Sequence, residues 1–331
     1  MSETTHLAAV TGADGFIGSH LVELLVTRGH RVRALAQYNS FGSWGWLDTL
    51  PPDVLAQVEV HLGDVRDAGS VNALVKGAET VYHLAALIAI PYSYHAPRSY
   101  VETNVIGTMN VLEAVRAHGV RRMVHTSTSE TYGTAQSVPI NESHPLQAQS
   151  PYAASKAAAD KLAESYYASF ETPVITLRPF NTFGPRQSAR AFIPTIISQL
   201  AAGATAIKVG SLTPTRDFTY VKDTAAAFVA AATAPGLEGH LFNAGTGHEV
   251  SMGDLARTIA VLMGRPDARF VTEATRRRPD RSEVMRLVCD SSRLRAATGW
   301  APRHSLEEGL AETVRWLTGN LDRYRPGVYA V

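Results

Sequence analysis

The chain has 331 residues, of which 45% are hydrophobic and 18% charged, and its formal net charge at pH 7 is +1. This composition is ordinary for a globular protein and allows one large domain or two closely packed ones. It excludes the strong positive field of a nucleic-acid-binding surface, since the one dense basic run is residues 276–278.

Cys289 is the only cysteine, so the chain cannot form an internal disulfide. The first residues lack the basic segment and the apolar stretch of a signal peptide, and no apolar run reaches the length of a membrane span. We therefore expect a cytoplasmic protein without a membrane or nucleic-acid partner, and we expect no metal site.

A glycine-rich turn at residues 11–18 lies between a predicted strand at 7–10 and a helical stretch. Gly12 permits a tight bend, Gly15 lets backbone N–H groups approach phosphates, and Gly18 lets the helix pack closely on the strand. Glycine turns also occur for purely structural reasons. The position of this turn after a strand near the N-terminus favours a site for the pyrophosphate of a dinucleotide.

Short β-like runs then alternate with amphipathic helical stretches, which predicts an α/β fold built on a doubly wound parallel sheet. The β-like runs are 31–35, 58–62, 80–84, 122–126 and 174–178, and the helical stretches between them include 105–118 and 153–170. After about Arg178 the helices 193–202, 252–263 and 306–317 are separated by irregular loops, which predicts a smaller lobe over the carboxyl ends of the strands.

These patterns predict two structural units. Residues 1–180, with a return of the chain at 215–246, form a dinucleotide-binding domain of the Rossmann type. Residues 181–214 and 247–331 form a smaller α/β lobe for the substrate.

Tyr152 and Lys156 are four residues apart and share one face of a helix that Ser150 caps and Pro151 begins. The ammonium would favour the phenolate. Lowering a phenol pKa from about 10 to near neutrality takes roughly 4 kcal/mol, which the lysine and a positively charged nicotinamide ring would supply together. The pair predicts a proton-transfer base, although similar pairs occur on many helix surfaces without function.

With residues 63–67, 83–86, 104–108, 127–133, 178–186 and 216–223, these motifs resemble the extended short-chain dehydrogenase/reductases nearly end to end. Within that family the resemblance is to the NAD-dependent sugar-nucleotide epimerases and dehydratases. Segments 38–48, 88–95 and 186–190 resemble the UDP-N-acetylglucosamine 4,6-dehydratases of the legionaminic-acid pathway. Packing is the alternative explanation for Trp44 and Trp46 in the first segment.

The resemblance implies a cofactor site at the glycine turn, the strand ends and the Tyr/Lys pair. Its residues are Gly12, Asp14, Gly15, Phe16, Ile17, Gly18, Asn39, Asp64, Val65, Leu84, Ala85, Ala86, Asn104, Tyr152 and Lys156. Asp64 is expected to accept a hydrogen bond from the adenine amino group. Substrate contacts are implied for Ile90, Asn181, Arg190, Arg216, Arg278 and Glu283.

The implied catalytic residues are Thr128, Ser129, Glu130, Tyr152 and Lys156. Thr128 would bind the sugar 4-hydroxyl, Tyr152 would take its proton, and Glu130 would remove the C5 proton once C4 is a ketone. Ser129 stands where dTDP-glucose dehydratases have the aspartic acid that protonates the leaving C6 hydroxyl. Another side chain or a relayed water must then serve, or water is not what leaves.

We therefore expect a 4,6-dehydratase of a UDP-hexose, with UDP-N-acetylglucosamine favoured, in which the hydride returns to the sugar. The alternatives are C4 epimerisation, decarboxylation of UDP-glucuronate and, in a different class, a non-catalytic dinucleotide-binding sensor. A decarboxylase needs a cation for the C6 carboxylate, and segment 88–95 offers only His95.

The cofactor is expected to be NAD or NADP, tightly bound and recycled. Ala36 stands where the family usually has the acid that binds the adenosine ribose, and Arg33 and Asn39 are nearby. The family slightly favours NAD, but a 2′-phosphate would meet no repulsion. The helical stretches 105–118 and 153–170 resemble the pair that forms a four-helix bundle with a second copy, so a homodimer is expected.

Overall fold

The structure, a computed structural model, describes residues 6–325. Within that range the strands β1 to β13 are Leu7–Thr11, Arg31–Gln37, Val58–Gly63, Thr80–His83, Arg122–Thr126, Val174–Pro179, Asn181–Phe183, Ala206–Val209, Thr215–Tyr220, Leu241–Ala244, Glu249–Ser251, Arg269–Thr272 and Arg286–Leu287. The helices α1 to α12 are Phe16–Thr27, Pro52–Leu55, Ala68–Val75, Ile90–His95, Pro97–Tyr100, Gly107–Ala117, Pro151–Phe170, Phe192–Ala201, Val221–Thr233, Met252–Leu262, Ser292–Thr298 and Leu306–Thr318.

Seven parallel strands form the large sheet, in the order β10-β6-β5-β4-β1-β2-β3. Successive residues of β1 face opposite sides, so that Ala8 and Val10 pack with α1 and α9 while Ala9 packs with α3, α6 and α7. This confirms the predicted Rossmann-type, doubly wound sheet. The strand order reverses between β1 and β4, and sheets of this type bind ligands in the crevice at that point.

A second core lies under α8, α10 and α12, where Ile196, Ile259 and Leu310 are buried. Strand β9 is central to the small sheet, antiparallel to β11 and parallel to β13 and β7. Strands β8 and β12 form a separate parallel pair. After β9 the chain returns to the large sheet, where α9 packs on α1 and β10 pairs with β6. Strand β9 itself, although within the predicted return at 215–246, belongs to the small sheet.

The helix predicted at 105–118 begins differently from the prediction. The chain is already helical from α5 onward, and a π-helical segment, Val101–Ile106, leads into α6. A π turn shifts the side-chain register by one residue, so a search for a period of 3.6 residues misses it. Gly107 then allows α6 to approach Val65, because a Cβ at Gly107 would lie 2.8 Å from Val65 Cγ1.

No helix in residues 6–325 combines the length and the apolar character needed to cross a lipid bilayer.

Candidate active site

The turn between β1 and α1 has the shape of a phosphate cradle. Gly12 has a φ of +65°, and a Cβ there would lie 2.7 Å from the backbone nitrogen of Ala85. A Cβ at Gly18 would lie 2.0 Å from the carbonyl oxygen of Gly12, so only glycine lets α1 approach β1 this closely. Helix α1 begins at Phe16 without a side-chain cap, and its free N–H groups suit an anion. The turn therefore fits a dinucleotide pyrophosphate.

A cavity of about 860 Å³ extends from this turn along the carboxyl ends of the strands into the smaller lobe. It brings together most of the site residues predicted from the sequence. Those lining it are Gly12, Asp14, Gly15, Phe16, Ile17, Gly18, Asp64, Val65, Leu84, Ala85, Ala86, Ile90, Thr128, Ser129, Glu130, Tyr152, Lys156, Asn181, Arg190, Arg216, Arg278 and Glu283.

Two predicted cofactor residues, Asn39 and Asn104, lie outside this lining. The Asn39 side chain closes its own loop, donating to the carbonyl of Ser43 at 2.7 Å and accepting from the Phe41 N–H at 3.1 Å. Asn104 is fully buried and bonds both the N–H and the carbonyl of Leu87, as well as Ser155 Oγ. Asn104 thus fixes the loop after β4 to α7, and its position is structural.

At the adenosine end, Asp64 is engaged by a residue that the sequence analysis did not identify. The Arg66 guanidinium donates to both carboxylate oxygens of Asp64, at 3.0 and 2.6 Å, and these bonds lower the pKa of Asp64. Arg66 also lines the cavity. If Asp64 accepts a hydrogen bond from the adenine amino group as expected, the same carboxylate also accepts from Arg66.

Helix α7 carries Tyr152 and Lys156 into the centre of the cavity. Ser150 caps it by accepting the N–H of Ala153 at 3.1 Å, and Pro151 occupies its first turn, as the sequence predicts. Both side chains are buried, with 7% of Tyr152 and 3% of Lys156 exposed. The Lys156 ammonium donates to the carbonyl of Thr126 at 2.5 Å.

The expected lowering of the phenol pKa is not a property of the protein alone. Burial raises the pKa of Tyr152 well above its usual value, and a hydrogen bond with Thr128 only partly opposes this. Burial also lowers the pKa of Lys156 to about 8. Sharing a helix face places the two groups together, but removal from water disfavours the charged form of each.

A buried ionic network lies behind Lys156 and was not found from the sequence. Asp160, one helical turn further along α7, accepts hydrogen bonds from Ser127 Oγ and Arg178 Nη2, both at 2.6 Å, and lies 3.2 Å from His125 Nε2. Burial alone would raise its pKa, but His125 and Arg178 bring it down to about 2. The carboxylate charge in turn raises the pKa of Lys156 against the effect of burial.

Elsewhere in the cavity lining, two arginines and two carboxylates form a loose cluster. Glu130 Oε1 lies 3.5 Å from Arg278 Nη1, which is 3.8 Å from Glu283. Arg216 lies 3.4 Å from Glu283 and is almost fully buried. Among the described residues, Arg278 Nη1 has no hydrogen-bond partner. These long ion pairs leave guanidinium donors available for an anionic group in the cavity.

The cavity lining also includes Arg190, one of the predicted substrate contacts. Arg190, in the loop before α8, acts on the phenols of both Tyr100 and Tyr152 through its charge. It opposes the effect of burial on Tyr100, whose pKa is raised to about 12. Segment 88–95 contributes no lysine or arginine to the cavity, whereas Arg190 lies in its lining. Ser129 is buried beside Thr128 and carries no acidic group.

Comparison with known proteins gives consistent matches over nearly the whole chain. The family model of GDP-mannose 4,6-dehydratases matches residues 9–313. A UDP-glucose 4-epimerase of Mycolicibacterium smegmatis is 36% identical over 93% of this chain and 97% of its own length.

Two solved structures are similar to this fold. One is a double mutant of the dTDP-glucose 4,6-dehydratase of Streptomyces venezuelae, solved with NAD bound. Its sequence is 28% identical and its TM-score is 0.85, and the match covers 97% of this chain and 99% of that one. The other is a UDP-N-acetylglucosamine 4-epimerase of Methanobrevibacter ruminantium, also 28% identical with a TM-score of 0.85, covering 96% of this chain and 100% of that one.

Proposed function

We propose, on the premise that this chain belongs to the GDP-mannose 4,6-dehydratase family of NAD-dependent nucleotide-sugar dehydratases and epimerases, that it is a 4,6-dehydratase of UDP-N-acetylglucosamine. NAD, the cofactor in the related dehydratase structure, would be held by the glycine turn and the Tyr152–Lys156 pair, and when bound would supply a hydride acceptor for C4 and a donor for C6. The cofactor is therefore recycled within each turnover.

The position of Glu130 is the observation that supports dehydration most strongly. This carboxylate is 9% exposed, lines the cavity, and is close enough to Tyr152 for its charge to raise the tyrosine pKa. Its Oε1 lies 3.5 Å from Arg278 Nη1. A carboxylate in the cavity beside Tyr152 serves elimination, which needs a base for the C5 proton, whereas C4 epimerisation needs none.

In the proposed reaction, Tyr152 removes the proton of the C4 hydroxyl while Thr128 holds that oxygen. The C4 ketone makes the C5 proton acidic, Glu130 removes it, and water leaves from C6. Because Ser129 has no acidic proton to give, we propose that a water molecule held in the cavity relays to the leaving hydroxyl the proton that Glu130 has taken from C5, and that C5 takes a proton from solvent when the hydride returns to C6. The arginines of the smaller lobe, Arg216 and Arg278, bind the substrate diphosphate and nucleoside.

Decarboxylation of UDP-glucuronate is the second candidate, and Arg190 favours it. Arg190 lines the same cavity as Tyr152, and a guanidinium there would suit a carboxylate at C6 of the sugar. Glu130 would then have no C5 proton to remove before carbon dioxide leaves. We rank dehydration first because the segments 38–48, 88–95 and 186–190 resemble the UDP-N-acetylglucosamine dehydratases.

Mass spectrometry of the products tests the proposal directly. The purified protein is incubated separately with UDP-N-acetylglucosamine, UDP-glucose, dTDP-glucose and UDP-glucuronate. We expect loss of one water from UDP-N-acetylglucosamine, with no net growth of the absorbance of reduced nicotinamide. Loss of carbon dioxide from UDP-glucuronate alone would instead establish the decarboxylase, and an isomer of unchanged mass the epimerase. Reduced cofactor in proportion to product would indicate a simple dehydrogenase.

We also propose that the protein is a homodimer formed through the helices next to the active site. Val101 and Ile106 of the π-helical segment and Tyr167 and Phe170 of α7 are 40–50% exposed. Apolar side chains on neighbouring helices favour burial against a second copy.

Sedimentation tests the homodimer at micromolar protein concentration. The wild-type protein should sediment as a dimer, and a variant with both Val101→Glu and Ile106→Glu should be largely monomeric because the charges oppose burial. Val261→Glu, at an exposed position of α10, is the matched control and should stay dimeric. A wild-type monomer would contradict the proposal.

A further inference from the structure

We propose that Asp14 selects NAD over NADP by binding the hydroxyls of the adenosine ribose, in place of the acid that β2 lacks. This inference rests on the proposed NAD-dependent function. In sheets of this type the adenosine ribose lies at the carboxyl end of the second strand, beside the glycine turn. At that end of β2 the chain has Ala36, which is fully buried and has no polar side chain.

The Asp14 carboxylate lies beside the residue that follows Ala36 at the end of β2. Asp14 lies in the glycine turn and lines the cavity, as does Gln37 at the end of β2. Its Oδ2 accepts the backbone N–H of Gln37 at 3.0 Å. The carboxylate of one segment is therefore held against the end of the strand that contributes an acid in other members of the family.

The loop after β2 fixes Asp14 from a second direction. The carbonyl of Asp14 accepts the N–H of Trp46 at 2.9 Å. Gly45 has a φ of +60°, and a Cβ there would lie 2.7 Å from the same carbonyl oxygen, so the approach requires glycine. Asp48 Oδ2 stabilises this loop by accepting from Ser43 Oγ and from the Trp44 N–H. The aromatic segment 38–48 thus helps to position the carboxylate.

The polar side chains near the end of β2 that could bind a 2′-phosphate already have other hydrogen-bond or ion-pair partners. Arg33 donates to the carbonyls of Leu74 and Lys76, at 2.9 and 2.8 Å, and to Glu59 at 3.2 Å. Asn39 closes its own loop, as described above, and Arg66 is paired with Asp64 at 2.6 Å. A 2′-phosphate would be repelled by the Asp14 carboxylate, while Arg33 and Arg66 are already paired with Glu59 and Asp64. This revises the expectation that a 2′-phosphate would meet no repulsion.

Calorimetric titration of the nucleotide-free protein with NAD and with NADP, in the absence of any sugar, tests the inference. The wild-type protein should bind NAD more tightly than NADP by roughly 10²-fold, since the competing ligand brings a like charge to a carboxylate. Asp14→Asn keeps the shape and removes the charge, so the NAD preference should fall by about tenfold or more. Asp53→Asn, which removes an exposed carboxylate of α2 outside the cavity lining, is the matched control and should retain the preference.

A second measurement uses only the wild-type protein and does not depend on the folding of any variant. An NAD analogue with a 2′-deoxyadenosine should bind about tenfold or more weakly, because it lacks the hydroxyl that donates to Asp14. An unchanged affinity for this analogue, or an unchanged preference in Asp14→Asn, overturns the inference and leaves the proposed function standing. Failure of the wild-type protein to bind either dinucleotide overturns the proposed function as well.

Discussion

Tyr152→Phe should lower turnover of UDP-N-acetylglucosamine by about 10²-fold or more, with the fold intact. The substitution removes only the hydroxyl. The ring keeps its edge-on contact with Tyr100, at 6.2 Å between centroids, and its position in the second residue of α7. The loss therefore falls on proton transfer from the C4 hydroxyl and on the hydrogen bond with Thr128.

Steady-state kinetics with a thermal unfolding curve for each variant measures this effect. Tyr167→Phe is the matched control, because Tyr167 lies on the same helix with 40% of its surface exposed and outside the cavity. The control should turn over at the wild-type rate. Nearly normal turnover of Tyr152→Phe would show that another group takes the proton, and the assignment of the base would be wrong.

Glu130→Gln should stall the reaction after oxidation at C4. Glutamine keeps the length and hydrogen-bonding capacity of the side chain but cannot accept the C5 proton, so loss of water should slow by about 10²-fold or more. Oxidation at C4 needs only proton removal by Tyr152 and a hydride acceptor, so it still proceeds in this variant. Reduced nicotinamide and a 4-keto sugar should therefore accumulate in this variant and not in the wild-type protein.

Stopped-flow absorbance follows the reduced nicotinamide, and mass spectrometry follows solvent deuterium, which should enter C5 during wild-type turnover. Glu283→Gln is the control, because it removes the other carboxylate near Arg278, at 3.8 Å, without removing the proposed base. It should change substrate affinity but should not cause reduced cofactor to accumulate. If Glu130→Gln turns over normally and C5 stays unlabelled, C4 epimerisation becomes the better account.

The parts of the site that the sequence predicts well depend on short stretches of chain. The glycine turn joins adjacent elements, and each glycine has a local or nearby steric reason, as at Gly12 and Gly18. The relation of Tyr152 to Lys156 follows from the helical repeat alone, and the cap at Ser150 from the residue type. Such features need no knowledge of how distant segments pack.

The parts that could not be predicted depend on contacts between distant segments. The ring of Trp46 packs against Trp316, at 5.5 Å, and against Tyr324, at 6.1 Å, near the other end of the chain. Trp44 packs against the core of the large sheet, so packing accounts for both tryptophans. The family resemblance implies that Arg190 contacts substrate, but its place in the same cavity lining as Tyr152 depends on the smaller lobe folding over the sheet. No spacing of residues in the sequence predicts contacts between segments this far apart in the chain.

Burial and competing hydrogen bonds are the two effects that electrostatic predictions from the sequence leave out. Counting charges along α7 suggests that Lys156 lowers the pKa of Tyr152, but the count omits the removal of both groups from water. Arg33 and Asn39 are near the end of β2 in sequence, and yet their side chains are committed to Leu74 and to Ser43. Proximity in the sequence did not establish that a polar group was available.

The return of the chain to the large sheet limits how such a protein can be divided or recombined. Strand β10 pairs with β6, and Arg122 at the start of β5 donates to the carbonyl of Ala232 and pairs with Glu238. A fragment ending near residue 180 would leave the edge of β6 bare and the Arg122 guanidinium without these acceptors. Exchange of substrate lobes between relatives therefore requires one crossover point on each side of residues 221–244 in addition to one near residue 180, because a single junction would separate α9 and β10 from the sheet they complete.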